Sequence, residues 1–174
     1  QRRFIVDIAQ AKRVSSIAER LYAAVQPDAG AEARRELLWA AALHEMGMMV
    51  SHHDHHRHSA YLLAHVDAAG FSQSQLKRLS ELVLGQRGGL RKIETSLVRP
   101  DFAWQVLCLR LAIIKCHARG EVDSGALSLL RNGQKATLAF AKGWEQANPR
   151  KLHLLREEVD AWSRGGSLRL EFGR

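Results

Sequence analysis

Residues 37–47 read LLWAAALHEMG: seven consecutive apolar residues, with no β-branched side chain among them, run into His44, Glu45, Met46 and Gly47. Leucine and alanine lose little conformational freedom in a helix, and a helix apolar on all sides must be covered on most of them. The stretch therefore predicts an apolar helix, from about Glu32 through Leu37, Leu38, Ala41 and Ala42 to the Gly47 region. Upstream, Pro27, Asp28 and Gly30 break the chain. Before that break, Ile5, Ile8, Val14, Ile17, Ala18, Leu21 and Val25 recur at a period near 3.6, which predicts an amphipathic helix over Phe4 to Val25.

Downstream, Val50 to His56 reads as irregular. A third helix is predicted from Arg57 to Ala69, closed by Gly70. Ser72 is placed to cap a fourth helix, Gln73 to about Gln86, and after Pro100 a strongly apolar fifth runs to about Arg119. Beyond Gly125 the pattern changes. Ala126 to Trp144 reads as two short strands around Asn132 and Gly133, a pair suited to a tight hairpin turn. Pro149 opens a helix to Trp162, and Leu168, Leu170 and Phe172 then alternate with polar neighbours as a last strand. The expected fold is mostly α: a helical domain over residues 1–122, followed by a small α+β domain of ββαβ order over residues 123–174.

The chain has 174 residues, 46% of them hydrophobic, which excludes a disordered tail and suits one substantial domain or two small ones. Lys and Arg number 26 against 18 Asp and Glu, a net charge of +8 that makes polyanions the partners to consider. No apolar run approaches the ~20 residues needed to cross a bilayer, and no charged n-region followed by an apolar core stands at the start of these residues. Cys108 and Cys116, eight apart in one helix, lie about 12 Å from one another, too far for a disulfide. Buried free thiols in a reducing compartment are expected. Trp39 and Trp104 read as core, Tyr61 as an interhelical contact, and Met46, Met48 and Met49 as gap-fillers. The start at Gln1 suggests a piece of something longer.

Six of the nine histidines lie between His44 and His58, five of them within residues 52–58. Spacings such as His55 with His58, or His52 with His56, suit a shared metal ion on a helix. A solvated histidine-rich turn that takes up nickel or zinc adventitiously is the other reading.

The helix ending in His44, Glu45, Met46 and Gly47 resembles the HD superfamily of metal-dependent phosphohydrolases, whose His-Asp doublet closes such a helix. Glu45 stands in place of the aspartate, no histidine occurs around Gln10 to Val14, and Ile113 stands where a further aspartate is expected. His44, Glu45 and His58 thus mark degenerate HD positions, and no metal is expected there. More specifically, Leu43 to Gly47, Val50 to His52, His56 to Leu63, Gly70 to Ser72, Leu82-Val83 with Arg87, and Leu109 to Ala112 together resemble the C-terminal region of the exopolyphosphatase and guanosine pentaphosphate phosphohydrolase (Ppx/GppA) family. Gln86 departs from it, since relatives often carry histidine there.

The resemblance implies a bacterial, cytoplasmic protein and a hydrolase acting on polyphosphate or guanosine pentaphosphate, with catalysis and its Mg2+ in actin-like domains upstream of this segment. The chain itself is then expected to be inactive and free of cofactor, to bind polyphosphate and to assist homodimerisation. It would not bind nucleic acid. Arg57, Arg87, Arg91 and Lys92 are the candidate polyphosphate contacts, with Lys77 and Arg78 as a second group. The alternative is an independent HD-type phosphohydrolase acting on a nucleotide through His44, Glu45, His58 and a neighbour such as His52.

Overall fold

The computed structural model describes residues 7–119 and 123–173. Helix α1, Ile8–Val25, starts where the Asp7 carboxylate accepts the Gln10 N–H, 2.9 Å away, and buries Ala11, Val14, Ile17, Ala18, Leu21 and Val25 on one face. Phe4 and Ile5 of the predicted helix lie outside the described residues. Helix α2, Ala31–Leu43, is followed by a 3-10 turn at Met46–Met49. Helix α3, His55–His65, starts two residues earlier and ends four earlier than its pattern suggested, entered through Asp54 at φ +52°. Helix α4, Gln73–Gly85, has the predicted Ser72 cap, reinforced by Gln75, whose side chain bonds back to the Ser72 N–H.

A 3-10 turn at Leu90–Ile93 and the short helix α5, Glu94–Leu97, lead into α6, Pro100–Lys115. Every residue of α6 from Phe102 to Ala112 is buried, because α1, α2, α4 and α5 surround it together with the late helix α8, Pro149–Gly165. Strands β1, Leu127–Asn132, and β2, Lys135–Phe140, pair antiparallel. The short helix α7, Trp144–Ala147, and then α8 carry the chain to β3, Arg169–Phe172, which pairs parallel to β2. The protein is therefore mostly helical with a small three-stranded sheet in the order β1-β2-β3, and ββαβ is the order of its larger C-terminal elements. One continuous core joins the two parts, with Leu127, Leu129, Leu138, Leu155 and Trp162 in the same cluster as α1 and α6. The expected boundary at residue 122 falls among residues 120–122, outside the described ones.

Several expectations need correction. Asn132 pairs with Lys135, so the hairpin loop is Gly133-Gln134, one residue later than read; only Gly133 takes positive φ (+61°), which is the pattern of a type II′ turn. Tyr61 is 65% exposed and stacks on His65 of its own helix rather than reaching another. Of the three methionines, Met46 fills the core, whereas Met49 is exposed. Trp104 is buried, and Trp39 is half-buried against Phe71. Cys108 and Cys116 are free and buried. Among the described residues no helix is long and apolar enough to cross a membrane.

Candidate functional site

The end of α2 is fixed by its neighbours rather than by its own hydrogen bonds. Gly47 lies so close to α3 that its N–H donates to Ser59 Oγ at 2.8 Å, and that hydroxyl donates to the His44 carbonyl at 3.2 Å. Gln86 Nε2 donates to the same carbonyl at 2.8 Å, so both of its lone pairs are used. These contacts hold His44, Glu45 and Met48 on one wall of a cleft of about 570 Å³. Gln86, Arg87 and Gly88 from the end of α4, Ile113 and Ile114 from α6, and Leu154 from α8 line other walls.

Proton positions follow from the partners. His44 Nδ1 stands 2.7 Å from the Ala41 carbonyl, which only accepts, so Nδ1 carries the proton and Nε2 is bare. Burial pushes the His44 pKa down to about 4, and the ring is neutral at pH 7. Burial also raises the Glu45 carboxyl above its usual range, an effect opposed by Arg119. The Arg119 guanidinium reaches Glu45 at 2.6 Å with one nitrogen and Asp7 at 2.8 Å with the other. A protein cation thus sits on the carboxylate that the HD resemblance would assign to a metal, and Ile113, which offers no donor atom, lines the same cleft. The donor set does not fit a resident metal. Among the described residues no group of three or more His, Cys, Asp and Glu side chains is arranged to hold an ion.

His58 is half-buried on α3 with its Cβ against Gly47, and His55 rather than His58 lines the cleft beside His44. Arg87 Nη1 lies 3.3 Å from His55 Nε2; since a guanidinium only donates, that nitrogen accepts and the proton is on Nδ1, which has no partner. Burial, with Arg87 adding to it, lowers the His55 pKa to about 4. Arg57 is exposed, 3.9 Å from Asp54. Lys92 Nζ donates to the Arg87 carbonyl at 2.6 Å. Arg57, Arg87 and Lys92 therefore form one group, and Lys92 feels the charges of both arginines. Arg91 is exposed in the adjoining Leu90–Ile93 turn, with its backbone nitrogen near Gly165 at the end of α8. In the second group Lys77 is exposed, whereas Arg78 binds Glu36 and Asp101, each at 2.7 Å. Two carboxylates therefore already neutralise Arg78.

Sequence reasoning missed Arg119 and the pairing of Arg110 with Glu158. Both partners of that pair are buried, joined by two hydrogen bonds, the one from Arg110 Nη2 being 2.7 Å. A charged residue inside an apolar helix such as LCLRLA was the available signal, because a buried charge demands a partner. Nothing local pointed to which one, 48 positions away.

The structure is a mostly helical body with a small mixed sheet and a cleft lined by His44 and Glu45. Residues 1–159 match the family described as Ppx/GppA phosphatase, domain III, and the chain belongs to that family, corresponding to a C-terminal region of its members.

Replacing Arg119 tests the internal counter-ion. In Arg119→Gln, buried Glu45 loses its partner and its carboxyl pKa rises further. A carboxyl whose folded pKa exceeds its unfolded value binds more protons folded than unfolded, so stability falls as pH rises through that window. Urea unfolding of variant and wild type is expected to give a stability gap that widens from about pH 5 to about pH 7.5. A gap independent of pH would contradict the pairing.

Proposed function

We propose that this chain is the non-catalytic C-terminal portion of an exopolyphosphatase-like phosphoanhydride hydrolase, and that it binds polyphosphate on the face carrying Arg57, Arg87, Arg91 and Lys92. The observation that carries the reading is the meeting of Lys92 with Arg87, whose carbonyl it bonds at 2.6 Å, with Arg57 of α3 contributing to the same positive field and Asp54, 3.9 Å from Arg57, opposing it. Like charges repel, so a fold that assembles them gains when a polyanion supplies the missing counter-charge. A polyphosphate chain does so with one charge per phosphate, and release of its counterions drives the association. Gly88 and Gly89, exposed between Arg87 and the Leu90–Ile93 turn, leave room for a phosphate chain to approach the backbone.

Hydrolysis, and the Mg2+ that serves it, belong in this proposal to other domains of the parent enzyme, with polyphosphate or guanosine pentaphosphate as its substrate. Support for a binding role comes from Glu45 being held by Arg119 and from Ile113 in the cleft. The free thiols of Cys108 and Cys116 suit the cytoplasm. The family resemblance supports homodimerisation, which sedimentation velocity tests.

Calorimetric titration with long-chain polyphosphate is expected to give binding that weakens steeply with salt. Arg87→Ala combined with Arg91→Ala should weaken it about tenfold and reduce the slope of log K against log salt by roughly 1 to 2. Equal affinity and slope in the double variant would remove these residues from the binding face. DNA of matched charge should bind more weakly than polyphosphate, and the reverse result would favour a nucleic-acid module.

A further inference from the structure

The two edges of the small sheet end differently. On the β1 side, Arg20 of α1 donates to the Leu127 carbonyl at 2.9 Å and Arg131 donates to the Val25 carbonyl at 3.2 Å, so side chains tie that edge to the helical body. β3 is paired on one side only, with β2. The Arg169 and Gly173 N–H groups donate to the Gln134 and Leu138 carbonyls, which turns the alternate main-chain groups, those of Leu168, Leu170 and Phe172, away from β2. Among the described residues nothing outside the ladder bonds them. The side chains of Leu168 and Leu170 are buried, whereas Arg169 stands on the other face with its side chain 81% exposed. Glu171, on that same face, is bound by Lys135 at 2.6 Å and lies 3.6 Å from Arg169. Arg169, Leu170, Glu171 and Phe172 include no proline, glycine or lysine of the kind that blunts an edge, and an unpaired edge of this sort is a template for another strand.

We propose that the outer edge of β3 pairs antiparallel with β3 of a second copy of this chain, across a two-fold axis at Leu170, so that the three strands of each copy join in one continuous sheet. This rests on the reading of the chain as a homodimer and names the surface that would make it one. The occupant follows from the order of charges. Only residues whose main-chain groups face outward can form hydrogen-bonded pairs, so the axis must pass through Leu168, Leu170 or Phe172. An axis at Leu168 sets Arg169 against Ser167 and carries Glu171 to Gly165, inside α8. An axis at Phe172 sets Glu171 against Gly173. With the axis at Leu170, Arg169 of each copy opposes Glu171 of the other, at the positions between hydrogen-bonded pairs where Cα atoms lie about 4.5 Å apart and side chains are nearest. Leu170 then bonds its own counterpart, and Phe172 meets Leu168. Any extended segment could satisfy the backbone, but a cation and an anion placed evenly about one residue are complementary to themselves. Arg169 is available for this, since among the described residues its ion pair is the 3.6 Å contact to Glu171.

The test is sedimentation velocity of the 174-residue chain over a concentration series. Arg169→Glu sets a carboxylate against Glu171 in both symmetric pairs, and Glu171→Arg sets a guanidinium against Arg169. Each should raise the dimer dissociation constant about tenfold or more, because like charges directly opposite one another repel. An equimolar mixture of the two variants makes every pair opposite in charge again and should return to the wild-type constant. Glu171→Arg also gives up the bond from Lys135, so a second pair of variants guards against a weakened fold. Arg169→Cys mixed with Glu171→Cys should form an intermolecular disulfide on mild oxidation, and neither should do so alone, since the two positions face each other only across the axis. Cys108 and Cys116 are buried and leave the wild type as an unlinked control. A wild-type dimer that both charge variants leave intact, a mixture that does not recover, or cysteines that do not link the two variants overturns the pairing of β3 alone. A wild-type chain that is monomeric at every concentration overturns homodimerisation and this inference with it.

Discussion

Arg110→Met is expected to lose about 3–5 kcal/mol of stability, a large share of what holds a domain of this size together. The substitution keeps volume and removes charge, so the loss does not come from a cavity. It comes from Glu158, which is 4% exposed and would be left buried with the Trp162 N–H at 2.7 Å as its remaining partner. The Gly85 carbonyl, to which Arg110 Nη1 donates at 2.8 Å, loses its bond as well. Glu158→Leu should be damaging for the mirror-image reason, since it strands a guanidinium among Phe102 to Ala112. The double variant is the informative one. With both charges gone no buried ion is uncompensated, and the double should be more stable than the sum of the single losses implies, by about 2 kcal/mol or more. Urea unfolding of the four proteins measures this, and additive losses would show that the pair is not a unit.

The pair joins α6 to α8, and thereby the helical body to the element that carries β3. Without it, the floor of the cleft and the seat of the Leu90–Ile93 turn would both loosen, because α8 packs on that turn as well as on α6. Hydrogen exchange in Arg110→Met should therefore rise first in α8 and β3.

What the sequence makes legible follows from physical range. Helices α1, α2, α4, α6 and α8 announce themselves because apolar periodicity over a dozen or more residues leaves one solution, and the cap at Ser72 with prolines at 100 and 149 marks the starts of α4, α6 and α8; the Asp7 cap of α1 was not read. Four-residue helices such as α5 and α7 hold barely one turn, too little for a period to be counted. The start of α3 was obscured because His55 and His56 read as polar but are buried, neutral and packed against the rest of the site. The order of strands and helix was readable, while the position of the turn was not, because Asn132 suits the turn as well as Gly133 does and only pairing decides. The candidate site divides in the same way. Arg57, Arg87, Arg91 and Lys92 could be marked from charge alone, but that Arg78 is consumed by Glu36 and Asp101 depends on contacts 42 and 23 positions away. Arg119 holds Glu45 across 74 positions, and no local pattern encodes that.

Gly47→Ala is expected to be the most damaging glycine-to-alanine change among the described residues. A Cβ at this position would lie 2.2 Å from the His55 carbonyl oxygen, 2.4 Å from the Ser59 nitrogen and 2.8 Å from His58 Cβ. Two of these are backbone atoms of α3, which cannot rotate aside as a side chain would, so the helix must move or the Met46–Met49 turn must lift. Overpacking of a core by a methylene usually costs about 1–3 kcal/mol, and the absence of any flexible neighbour puts this site at about 3 kcal/mol or more. The displacement also reaches the site. Moving α3 breaks the Gly47 N–H bond to Ser59 Oγ and with it the bond to the His44 carbonyl, and it carries His55 away from Arg87. Two companions separate these effects. Ser59→Ala removes only the hydroxyl and should cost about 1–3 kcal/mol through the groups left unpaired. Gly133→Ala meets nothing within 4 Å and is strained only by its φ of +61°, at about 1–2 kcal/mol. Chemical denaturation should rank Gly47→Ala well below Gly133→Ala in stability, and its polyphosphate affinity should fall although no cation has been removed. Equal stability of the two glycine variants would show that α3 yields easily, and that the close approach at Gly47 does not hold the wall of the cleft in place.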